Sequence, residues 1–205
     1  KIGESNFRTD TTLTTATGDS IRIKESLIFL SDFKLHTSDN EILEVRDISI
    51  YEDLDGEKEE LKEDHVIIRN RTSFVNIGAI RETGLVDSVS FFTGISHDKI
   101  ALEDASILVN YDTLLVNDQY FDIVLFASVG PLLQEDISIK IRTNNASAIE
   151  GNAISNVEKL IRTNFGLNLS IDYEQLIQNL VLNSTDDVVI VNDYIIPNNS
   201  IIVKE

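Results

Sequence analysis

The most informative stretch of the chain is Asp19 to Leu35, DSIRIKESLIFLSDFKL. Apolar Ile21 and Ile23 alternate with polar neighbours. An unbroken apolar run follows at Leu27, Ile28, Phe29 and Leu30, and alternation returns at Phe33 and Leu35. Period-two alternation marks a strand with one buried face, and a continuous run marks a strand buried on both. The pattern predicts a strand that starts half buried, crosses a two-sided core and ends at a sheet edge or surface.

The same reading extends along the chain. The Thr-rich opening, TDTTLTTATGDS, predicts an edge strand or an extended arm, because Thr favours strands. After a turn at Ser38-Asp39-Asn40, ILEVRDISIY predicts one long strand or two short ones. EDLDGEKEELKEDH, residues 52–65, is charged enough to predict a solvated loop. VIIRN, SFVNIGAI and LVDSVSFFTGI predict strands, the last closed or bulged at Gly94. FDIVLFASV predicts a core strand. Beyond Pro131, ISIKIRT alternates cleanly through Ile137, Ile139 and Ile141. In the last quarter, Ile154, Val157, Leu160 and Ile161 fall at helical spacing, with Gly166 as the C-cap. A second helix starts at Asp172, with Gln175 as capping-box partner and Leu176, Ile177, Leu180 and Val181 as its buried stripe. LNLSI, DVVIV and SIIVKE predict strands, the last two joined by a turn at Pro197-Asn198-Asn199. No period of about 20 to 50 residues repeats, so this is no solenoid.

Many short strands with two short C-terminal helices predict a mostly β, single-domain sandwich or barrel-like antiparallel architecture over residues 1–205. TNNASAIEGNA marks a sub-boundary near residues 145–152.

Composition narrows the function classes. The 205 residues carry a formal net charge of -18, with 17 Lys and Arg against 35 Asp and Glu. Nucleic-acid binding relies on cationic side chains displacing counterions, so a nucleic-acid partner is not expected. The chain has no Cys, Met or Trp. Zero Cys removes disulfides, thiolate zinc sites, iron–sulfur clusters and cysteine catalysis. With no Met, Lys1 reads as a start after processing or truncation, so an export signal or lipidated cysteine would lie upstream of it. No run reaches the length of a membrane helix, which leaves an unseen lipid anchor as the expected route to a membrane.

Two groups of side chains suit metal ligation. His36, His65 and His97 lie about thirty residues apart, each near a predicted strand end, so only convergence at one end of a sandwich could unite them. The plainer reading is three exposed loop histidines. Asp53, Asp55 and Glu57 around Gly56 resemble part of a calcium loop. Scored as an EF-hand, its first position falls on Tyr51 and its twelfth on Lys62, and both fail. A solvated turn is the plain reading, and a hard-oxygen calcium or magnesium site the functional one. Catalysis finds no support: there is no G-x-S-x-G elbow, no phosphate loop from Gly78 and Gly84, and no carboxylate pair that stands out.

The N-terminal two-thirds resembles the MbnP-like family, cell-envelope proteins named after a partner in copper-binding-peptide (methanobactin) operons. The early block is matched in order by Gly18, Ile21, Ile23, Leu27, Phe29, Leu30, Ser31, Phe33 and Leu35. Leu30 stands where an aromatic is common and Asp32 where Asn is common. ILEVRDISI matches the next block loosely. Gly84, Val89, Phe91, Gly94 and Ile95 match the third, and Leu167, Leu169, Ile171 and Asp172 the closing strand. The resemblance implies a β-rich bacterial envelope domain, periplasmic or on the outer membrane, often a lipoprotein, and associated with copper. It also implies an envelope partner, a dihaem peroxidase-like protein or an outer-membrane receptor. The best-known members oxidise a tryptophan to kynurenine beside a histidine-bound copper. This chain has no tryptophan, and it lacks the soft Met and Cys ligands that suit Cu(I). The expected function is therefore a non-catalytic envelope domain for binding or partner docking, with copper or calcium as the metals to test. The alternative is a structural or adhesive surface lipoprotein domain, or an accessory subunit of an outer-membrane complex.

Overall fold

The computed structural model describes residues 11–45, 48–52, 58–62, 66–69, 80, 82–94, 115–116, 119–144, 148–159, 168–182, 187–197 and 200–204. The protein is mostly β. Its strands are β1 (Leu13–Thr14), β2 (Ser20–Thr37), β3 (Ile42–Glu44), β4 (Ile48–Glu52), β5 (Lys58–Lys62), β6 (Val66–Arg69), β7 (Gly84–Thr93) and β8 (Leu115–Val116). Then come β9 (Gln119–Tyr120), β10 (Ile123–Val129), β11 (Glu135–Thr143), β12 (Ala148–Lys159), β13 (Asn168–Ile171), β14 (Val188–Tyr194) and β15 (Ile201–Lys204). Among the described residues one helix, α1, spans Tyr173–Ile177. The main sheet runs β12-β7-β2-β10-β11-β14, with β1, β3 and β6 also paired to β2. All its pairings are antiparallel except β11 with β14. A parallel pair needs a long crossover, and here the chain runs through β12, β13 and α1 before β14 begins.

β2 is the central strand, and its sequence pattern has a geometric cause. Its register against β10 slips where Glu25 pairs with Phe126 and Ile23 with Ala127, which leaves Lys24 as an extra residue. A second slip against β7 falls between Ser31 and Lys34, where Asp32 adopts φ 55°. Each extra residue turns the following side chains to the opposite face. The residues on one core face are accordingly Ile21 and Ile23, then Ile28 and Leu30, then Phe33 and Leu35. Leu27 and Phe29 are buried on the other face. The apolar run is therefore the segment between two bulges, buried on both sides. Phe33 and Leu35 do not reach a surface: both join the core, and Phe33 stacks on Phe91 with centroids 5.3 Å apart.

Helix α1 lies on the core face of β2. Asp172 caps it, accepting bonds from the backbone N–H of Glu174 and Gln175. The capping box is half formed, because the Asp172 N–H donates to the Ser200 carbonyl. Leu176, Ile177 and Leu180 are buried as expected, but the helix ends too early to cover Val181, which is exposed. The Tyr173 hydroxyl bonds Ser26 on β2, and the Tyr194 hydroxyl donates to the Leu176 carbonyl.

Two expectations are corrected. The helix expected from Ile154 does not form: Ala148–Lys159 is a strand along β7. Its register slips between Ile149 and Asn152 and again between Ala153 and Val157, so its apolar residues lose period two and imitate helical spacing. The charged stretch is not wholly loop either. Lys58–Lys62 pairs with Ile48–Glu52, Lys58 opposite Glu52. Backbone pairing outweighs composition there, and ILEVRDISIY proves to be two short strands. The end of that predicted helix, its Gly166 cap and most of SFVNIGAI lie outside the described residues.

Candidate functional site

Of the six predicted metal ligands, His36 is the one within the described residues. His65, His97, Asp53, Asp55 and Glu57 lie outside them. His36 is the penultimate residue of β2, near a strand end as expected, and half-buried on the face opposite Leu35. Its Nε2 lies 2.8 Å from the Ser90 hydroxyl of β7. Its neighbour on that face, Lys34, donates to Asp32 at 3.1 Å. An ammonium is no metal ligand, and among the described residues no group of three or more His, Asp or Glu comes together to hold an ion. The described donors around His36 do not fit a copper or calcium centre.

A polar lock closes the ends of β7, β10 and β11. Asp122 accepts from the Thr143 N–H at 2.7 Å and the Thr143 hydroxyl at 2.8 Å. The same hydroxyl lies 3.2 Å from the Thr93 carbonyl, and Ser31 on β2 donates to the Gly94 carbonyl at 2.6 Å. Gly94 has φ 107°, and a Cβ there would run into the Asp122 carboxylate. Glycine is needed for both reasons. The carboxylate oxygen that faces Thr143 is thus spent on holding strand ends, a structural task.

The far side of the sheet is different. Lys140 on β11 pairs with Val124 of β10 and Ile190 of β14, so apolar residues flank it across both strands. It is only 9% exposed, and its ammonium has no hydrogen-bond or ion-pair partner among the described residues. Burial pushes that ammonium below its ordinary value. Arg142, two residues on, lies over the Phe121 ring at 5.4 Å. Elsewhere at the surface, hydrogen bonds from Lys24 and then Ser128 hold the Asp136 carboxyl below its usual range.

Beyond Lys140 lies the edge strand β14, with two kinds of unsatisfied surface. Val189 is buried and Val191 packs against the core, but Val188 is 43% exposed and Ile190 48%. The Ser138 N–H donates to the Asp187 carbonyl, which fixes the parallel ladder. In such a ladder Asp187, Val189 and Val191 turn their backbone groups to β11. The N–H and C=O of Val188 and Ile190 therefore turn outward, and β14 has no strand partner but β11 among the described residues. Exposed Asp187 stands at one end of the run. At the other, Asp193 (φ 54°) lies where the register against β11 slips, between Ile141 and Thr143. Sequence reading found DVVIV as a strand but held no signal for its place at the rim.

No family model, no curated protein and no solved structure matches the chain.

Proposed function

We propose that the protein is a non-catalytic, partner-docking β-domain of MbnP-like type, acting in a bacterial cell envelope. The ordered sequence blocks support the family and the compartment. The observation that carries docking is β14, whose Val188 and Ile190 offer apolar side chains and outward backbone groups together at the rim of the sheet. Natural sheets blunt such edges with charge, proline or bulges, and an edge left apolar is a template for another chain. Here the bulge comes only at Asp193, after the exposed run. The partners implied by the resemblance are a dihaem peroxidase-like protein or an outer-membrane receptor.

A photo-crosslinking residue at position 190, in cells of the native host, tests the reading. The expected result is one discrete protein adduct from position 190 and none from position 132, where Leu132 is 75% exposed but lies in the β10–β11 turn. No adduct, or the same products from both positions, would sink it. Copper and calcium titration of the purified protein tests metal association, which fails if neither ion binds below about millimolar concentration.

A further inference from the structure

We infer that β14 accepts an added strand from a basic partner protein: an extended segment, apolar at alternate positions, with Lys or Arg at both ends. This rests on the docking reading and specifies what docks. Main-chain bonding is offered by the outward N–H and C=O of Val188 and Ile190. Apolar contact is offered by the same two side chains, on one face of the strand.

Charge selects among occupants. The exposed charges at the two ends of the run are both carboxylates, Asp187 and Asp193. Lys140 is buried beside Ile190, one strand in from the rim, and Arg142 on the same strand is held over Phe121, so neither cation stands on the edge strand itself. A second copy of this chain would bring its own Asp187 and Asp193, with a net charge of -18, against the same set. Like charges across an interface suppress that pairing, whereas a cationic segment is steered toward it.

The test uses the full chain and two labelled peptides, each a Thr-Val-Thr-Val-Thr core, one with Lys and the other with Glu at both ends. Fluorescence anisotropy at low salt should show the Lys-ended peptide binding about tenfold tighter or more, the gap closing in about 1 M salt. Bound peptide should slow amide exchange at Val188 and Ile190. Ile190→Lys should abolish binding, and Ile190→Pro, which deletes one outward N–H, should weaken it at least about fivefold. Unfolding midpoints of both variants should match the parent, which separates lost binding from lost fold. Asp187→Asn with Asp193→Asn should narrow the gap between peptides. Equal affinity for the two peptides, or unchanged exchange at Val188 and Ile190, would overturn the inference. So would a dimer of the protein alone that Ile190→Lys dissolves. An adduct at position 190 without basic preference refutes the charge argument and leaves docking intact. No adduct and no peptide binding refutes both.

Discussion

Leu27–Leu30 and Val188–Val191 are both runs of four large apolar residues inside strands, yet the sheet treats them in opposite ways. In β2 all four side chains are buried, Ile28 and Leu30 on the helix-covered face and Leu27 and Phe29 on the other. In β14 one face joins the core and the other meets solvent at Val188 and Ile190. Composition does not separate the two runs; position does. A central strand consumes apolar surface on both sides for stability. At the rim the same chemistry leaves surplus area and an open ladder, which are the materials of recognition.

Substitutions can break this contrast, and the core should respond most. Phe29→Ala is expected to cost about 3–5 kcal/mol in urea unfolding, as a large side chain leaves a packed interior. A loss no greater than that of a surface change would mean that the second face of β2 is open. Gly94→Ala should cost about 1–3 kcal/mol from its backbone conformation alone, before the Asp122 carboxylate is displaced. A neutral result would show that the lock on β2 and β10 is loose.

The tyrosines sharpen the comparison by pH, one beneath β2 and one at the end of β14. Burial pushes Tyr173 up to about 12, with the Ser26 hydrogen bond working the other way. Burial also raises Tyr194 to about 12, against a backbone bond to Asn179. Folding thus favours the neutral phenol. That stability is fully present below the ordinary value of 10.0 and is lost as pH climbs through about 12. Absorbance titration should show Tyr173 and Tyr194 among the five tyrosines ionising late, together with falling stability between those values. All five ionising near the ordinary value, with stability flat, would contradict this burial. The smallest effect belongs to the rim: Ile190→Ser should change stability by no more than about 0.5 kcal/mol. A large loss would mean that Ile190 is a core residue and β14 no free edge.

Much of the strand order was legible because alternation reports one-sided burial directly, as in Ile137, Ile139 and Ile141. The N-cap at Asp172 was legible because its chemistry is local. What period counting missed was irregularity. Bulges at Lys24 and Asp32 turned alternation into a run in β2, and slips in β12 turned a strand into apparent helix. β5 escaped because its charged residues form a ladder that only a partner strand reveals. Of the candidate site less was legible. The strand-end place of His36 was legible, but the burial of Lys140 and the exposure of Ile190 depend on neighbours distant in sequence.

Among the described residues five strands, β1, β3, β6, β7 and β10, bond directly to β2. Ile28 meets Ile123 across β10, so the ribosome must add roughly a hundred residues before that pair can close. At ordinary synthesis rates the edge of LIFL that pairs with β10 stays open for about 5–20 s. The newborn chain is thus sticky along β2, and a holding chaperone would meet it there.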